Sequence, residues 1–169
     1  MTAQDGLVWR APNPSDAGAL GRMHHQAWVD TYAPLLPERW FDDHPPSERV
    51  DLWHRVLAAP PPPGVVRTAV FTSDGDAVGW TIAGPARGQP GVEPVREHEL
   101  WGLYVARPWL GSGLGQALLD HAVGDRPAEL WRAEGNERAA AFYRRNGFAD
   151  DGARAPKEGA PLVEVRMVR

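Results

Sequence analysis

The sequence predicts one mixed α/β domain spanning residues 1–169. Two observations predict it. Segments of two-residue alternation and segments of helical spacing follow one another in the order strand, two helices, three strands, helix, strand, helix, strand. No repeat or composition break divides the chain, and its length suits one core. The expected architecture is a sheet of about six to seven strands flanked by about four helices.

The elements are expected in this order. Leu7–Arg10 reads as a short strand. Ser15 or Asp16 can cap a helix whose apolar stripe is Leu20, Met23, Ala27 and Trp28 and which ends before Pro34. Ser47-Glu48 opens a second helix with Val50, Trp53, Val56 and Leu57 on one face, stopped by the proline run after Ala59. Val65–Phe71 and Ala77–Ala83 form a hairpin around Ser73-Asp74-Gly75-Asp76. Gly84–Glu97, rich in Pro and Gly, is expected to be a mobile loop. Glu99–Val105 is a central strand, Ser112–Val123 a helix, Glu129–Ala133 a strand, Asn136–Arg145 a helix with Gly147 as its left-handed cap, and Leu162–Val168 the last strand.

Composition removes whole classes of chemistry. There is no Cys, so disulfides, thiolate metal sites and Cys nucleophiles are excluded. Lys157 is the one lysine, which leaves little room for a Schiff base or a phosphate-loop lysine. A formal net charge of −4 argues against nucleic acid as a partner. No apolar run nears the roughly 20 residues of a membrane span, and Met1–Arg10 lacks the order of a secretion signal, so a cytoplasmic protein with no membrane partner is expected. His24 and His25 are adjacent and should not face one site, and no acidic partner has matching spacing, so no metal is expected.

The run Leu110-Gly111-Ser112-Gly113-Leu114-Gly115-Gln116 lies between a strand and a helix. Free N–H groups and the dipole at a helix start attract anions, and glycine lets an anion come close. A diphosphate is the natural guest. The dinucleotide fingerprint needs Gly where Gln116 stands, and a phosphate loop needs Lys and Ser/Thr after its last Gly. Neither is present.

The stretch from Glu99 through Leu119, with Leu103-Tyr104-Val105 leading into the glycine run, resembles motif A of the GNAT superfamily of N-acetyltransferases. Leu130–Phe148, with Asn136 and Phe142-Tyr143, resembles its motif B. The resemblance implies a mostly antiparallel twisted sheet, acetyl-CoA as cosubstrate without a metal, and direct acetyl transfer to a primary amine of a small molecule or peptide. It allows a homodimer. A non-catalytic acyl-CoA sensor is the alternative. Two departures stand out. Leu110 replaces the usual Gln or Arg at the head of the glycine motif, which leaves a backbone cradle. The link 124–128 is short, so the preceding helix should be stubby.

The chemistry needs a base for the amine, polarisation of the thioester and a donor for the thiolate. By resemblance, Tyr143 protonates the sulfur, Asn136 caps its helix and touches the cofactor arm, and Leu103, Tyr104 and Val105 offer backbone groups to the pantetheine, beside the cradle from Leu110 to Gln116. Glu99 is the candidate general base, directly or through water. His98 is its rival, and the two should face opposite sides of the strand. Trp28, Thr31, Tyr32 and the loop 33–37 are the expected acceptor contacts, with Gly84–Glu97 closing over them.

Overall fold

The structure, a computed structural model, describes residues 6–169, and the N-terminal expectation for residues 1–5 lies outside the described residues. Short strand β1 (Val8–Arg10) leads to Asn13, whose side-chain oxygen accepts the Ser15 N–H at 3.0 Å. Helix α1 (Ala17–Tyr32) follows this cap. Asp16 holds the N-cap position of α1 as expected, but its carboxylate makes no bond into the helix: it accepts the Asn13 N–H and pairs with Arg10, while Asn13 caps the 3-10 turn Pro14–Asp16 that precedes α1. A short α2 (Trp40–Asp43) and then α3 (Pro46–Leu57) complete the first half of the helices.

Strands β2 (Val66–Phe71), β3 (Ala77–Pro85) and β4 (His98–Val105) form a meander. After it come α4 (Leu114–Ala122), β5 (Glu129–Ala133), α5 (Glu137–Arg145), β6 (Ala149–Pro156) and β7 (Val163–Val168). One sheet runs in the order β1-β2-β3-β4-β5-β7-β6. Every neighbouring pair is antiparallel except β4–β5. Among the described residues the sheet thus has seven strands, with five α-helices around it. As expected from the short link, α4 is stubby. Gly113 at φ +88° and Gly111 at φ +79° delay its start to Leu114.

Alternation along the strands sorts the core into two layers. Ala69, Phe71 and Trp80 meet Leu20, Met23, Trp53 and Leu57 of α1 and α3. Val70 and Val78 point the other way, onto Leu114 and Leu118 of α4. Leu100, Leu119, Leu130, Tyr143, Phe148 and Met167 continue that second layer under α5. Each fully buried Leu contributes about 2 kcal/mol by removal from water.

Helices α1 and α3 touch at Gly21, where an added Cβ would lie 2.5 Å from Val50 Cα. Backbone cannot yield as a flexible side chain can. Gly21→Ala is expected to force the helices apart and cost about 1–3 kcal/mol, read as a fall in Tm.

Strand β6 escapes sequence analysis. Its Asp150-Asp151-Gly152 start is polar and turn-like, and the strand lies mostly exposed at the sheet edge with a register break between Asp150 and Arg154. Ion pairs hold it where apolar alternation is missing: Arg132 to Asp150 at 2.7 Å and Arg166 to Asp151 at 2.8 Å.

Candidate active site

The ladder between β4 and β5 consists of Glu99–Glu129 and Leu100–Leu130 alone. Beyond these pairs the strands part, although β4 continues to Val105 and β5 to Ala133. The gap forms a cleft of about 410 Å³, walled by β4 from Leu100 to Val105, by β5 from Leu130 to Ala133, and by α5 through Asn136, Phe142 and Tyr143. Ala106 N donates to Val78 O on the β3 side. Alternation therefore turns the backbone of Tyr104 toward β3 and that of Leu103 and Val105 to the open gap. Two of the three predicted pantetheine contacts thus present free backbone groups. Tyr104 lines the cleft with its side chain instead.

The glycine run closes one end. Leu110, Gly111, Gly113, Gly115 and Gln116 line the cleft. Leu114, Gly115 and Gln116 begin α4, whose first amides have no partner within the helix. The predicted contacts Ser112 and Leu114 are absent from the cleft wall. Ser112 Oγ donates to Trp109 O at 2.7 Å and accepts the Leu114 N–H at 3.3 Å, which stiffens the turn. Leu114 is fully buried against Val70 and Val78. The Gln116 side chain is engaged with Asp120 and Asn146, leaving its backbone for the cleft. Gly115 needs no glycine for packing, since a Cβ there would stand 3.8 Å from Val105 and 3.9 Å from Phe142. These residues fit a diphosphate held by amides.

Tyr143 is buried in the cleft wall between Phe142 and Phe148. Burial and then neighbouring Tyr104 push its phenol well above the ordinary value, so it stays protonated. Asn136 accepts the Ala139 N–H at 3.2 Å and lines the cleft, combining cap and wall. Arg145 also lines the cleft, while Arg144 pairs with Asp150.

A second cavity of about 360 Å³ lies on the α1–α3 side. Its walls combine six aromatic rings, of Trp28, Trp40, Phe41, Trp80, Trp101 and Tyr104, with histidines and charged side chains. It shares Trp101, Tyr104 and Lys157 with the cleft, so the two chambers meet there. Trp28 faces this cavity, whereas Thr31 and Tyr32 line the cleft. Tyr32 and Tyr104 join their hydroxyls at 3.2 Å.

The predicted base does not reach either chamber. Glu99 is buried, and its carboxylate accepts the Arg87 N–H at 2.7 Å and the Arg87 guanidinium at 3.0 Å. Its ladder neighbour Glu129 accepts the N–H groups of Val95 and Arg96 at 2.7 and 2.9 Å. Two buried carboxylates thus tie down the 84–97 loop, which was expected to be mobile. His98 faces Arg126 and the end of α4, outside both chambers, with burial lowering its pKa.

His24, His25, Arg49 and Lys157 line the second cavity, although none of them was among the expected site residues. Adjacent His24 and His25 both line it. Trp53 Nε1 donates to His24 Nδ1 at 3.3 Å, and burial, then Arg49, holds the ring well below its ordinary pKa. His25 is half-buried and also depressed, by burial first and Arg49 second. Among the described residues no group of three or more His, Cys, Asp or Glu is placed to hold a metal, and no helix is long and apolar enough to cross a membrane.

Comparison with known proteins agrees with this geometry. The acetyltransferase (GNAT) family model matches residues 25–148. The PaiA N-acetyltransferase of Thermoplasma acidophilum, solved in complex with coenzyme A, superposes with a TM-score of 0.62 at 16% identity, covering 94% of this chain and 97% of that one. An acetyltransferase from Thermus thermophilus gives 0.61 at 18%, covering 100% and 98%. A GNAT-family acetyltransferase from Streptococcus pneumoniae gives 0.63 at 18%, covering 96% and 98%. The comparison with curated proteins gave no match. With its family model spanning most of the chain, including the parted strands and the glycine cradle, this protein belongs to the GNAT acetyltransferase family.

Proposed function

We propose that the protein transfers an acetyl group from acetyl-CoA directly to the amine of a small molecule. The observation that carries this reading is the meeting of two chambers at Tyr104: a long cleft ending in a glycine cradle, and a separate aromatic cavity. A sensor that only held an acyl-CoA would have no use for the second.

The amides at the start of α4 hold the diphosphate, and the Leu103 and Val105 backbone groups align the arm along the parted strand. A backbone N–H of this edge polarises the thioester carbonyl. His25 takes the proton of the attacking amine. It is neutral at pH 7, and the nearby carboxylates are committed, Glu48 to His44 and Glu164 to Lys157. Protonated Tyr143 donates to the departing thiolate. No residue is acylated on this path.

The test is release of free thiol from acetyl-CoA on addition of amines, with calorimetric titration of acetyl-CoA alone. Binding in the micromolar range and amine-dependent thiol release are expected. Absence of any acetyl-CoA binding overturns the reading.

A further inference from the structure

The second cavity holds one guanidinium to which no described residue bonds. Arg49, in the first turns of α3, is half-buried in its wall. The other arginines that are buried or half-buried are all bonded. Arg10 pairs with Asp16, Arg132 with Asp150 and Arg166 with Asp151. Arg67, Arg96 and Arg169 donate to main-chain carbonyls. Arg49 makes no hydrogen bond or ion pair with the described residues. It lies over the Trp28 ring at 4.2 Å. Stacking favours the cation but uses the face of the guanidinium and leaves the N–H fork along its edge empty. Withdrawing donors from water without an acceptor is costly, and a planar fork matches an oxyacid anion two bonds at a time.

The charges around it agree. Lys157 approaches the same Trp28 ring at 5.8 Å. Lys157 is paired with Glu164 at 2.8 Å, and the exposed Glu48 carboxylate lies within hydrogen-bond distance of His44 at 3.0 Å. Glu158 stands on the exposed rim. The half-buried charge in the cavity wall that lacks a bonded partner is therefore positive, whereas Glu48 and Glu158 are exposed. A polyamine would meet repulsion there. Between its polar groups the wall presents the aromatic rings of Trp40, Phe41, Trp80 and Trp101, against which an apolar side chain can pack.

We infer that the acceptor is a free amino acid with an apolar side chain, its carboxylate held by Arg49 on Trp28 and its amine turned toward Tyr104. This rests on the acetyl-transfer reading above, and the experiment separates the two.

Thiol release is measured with L-phenylalanine, L-phenylalaninamide and putrescine. The amide differs from the acid in lacking the carboxylate. In the wild-type protein the acid is expected to exceed the amide at least tenfold in kcat/KM, with putrescine poorer still. In Arg49→Met the acid-to-amide ratio should fall to within about twofold of one, chiefly through KM for the acid. Arg49→Lys, which keeps charge but not the fork, should fall between. Binding of 3-phenylpropanoate, which has the carboxylate but no amine, is titrated in parallel in the presence of CoA. It should bind the wild type and weaken at least tenfold in Arg49→Met, with acetyl-CoA affinity retained in both variants. A wild-type acid-to-amide ratio of one or less, a preference for putrescine, or equal phenylpropanoate binding by wild type and Arg49→Met overturns the inference. If phenylpropanoate binding depends on Arg49 but no amine releases thiol, the anion site stands and the transfer reading falls.

Discussion

Replacing Tyr143 by phenylalanine is expected to lower kcat about 100-fold, with acetyl-CoA affinity changed less than about twofold. The phenol is buried, and burial together with Tyr104 raises its pKa, so the proton is present throughout the working range. A thiolate leaving a collapsing tetrahedral centre gains from that proton only late in the reaction, so the loss falls on kcat rather than on binding. The ring itself sits between Phe142 at 5.1 Å and Phe148 at 5.8 Å, and phenylalanine fills the same space. Tm should therefore hold while turnover collapses. Steady-state thiol release beside a thermal melt makes the comparison, and a kcat within threefold of wild type removes Tyr143 from the donor role.

Gly115→Ala is expected to move stability and binding in opposite directions. Gly115 is the second residue of α4, where glycine is less favourable than alanine by roughly 0.5–1 kcal/mol. The new methyl makes ordinary contacts with Val105 and Phe142, so the apo protein should melt about 1–4 °C higher. That methyl also stands beside the amides at the helix start, where a diphosphate must come close. Acetyl-CoA should weaken at least tenfold by calorimetry, the loss expected when even about 1.4 kcal/mol of contact is displaced. Unchanged affinity would show that the anion does not sit against this turn.

The parts of the molecule legible in the sequence are those where local pattern and tertiary environment agree. β5 has the same bounds in both, and α5 differs from its expected span by one residue at its capped start. Motif residues Asn136 and Tyr143 reach the cleft as expected, because capping and helical spacing fix them locally. Glu99 misled because alternation tells which side of a strand a residue faces but not what covers it. Its cover, Arg87, comes from a loop whose composition suggested mobility. Arg49 was illegible for a related reason. Its significance is the absence of a partner, and absence appears only once α1 and α3 close at Gly21 and fold the charge inward. β6 was missed because ion pairs from β5 and β7 substitute for the apolar rhythm that identifies a strand.

The two-rung join between β4 and β5 has a mechanical consequence. Each half of the sheet is stiff, laced by its own antiparallel ladders, but the halves are coupled across the sheet through a spine at Glu99–Leu100 and Glu129–Leu130. The molecule is built like a book held at the top of its binding. An elongated guest pressed between the open pages would stitch them further down, so occupancy and rigidity would rise together, and each departing product would return the protein to its softer state.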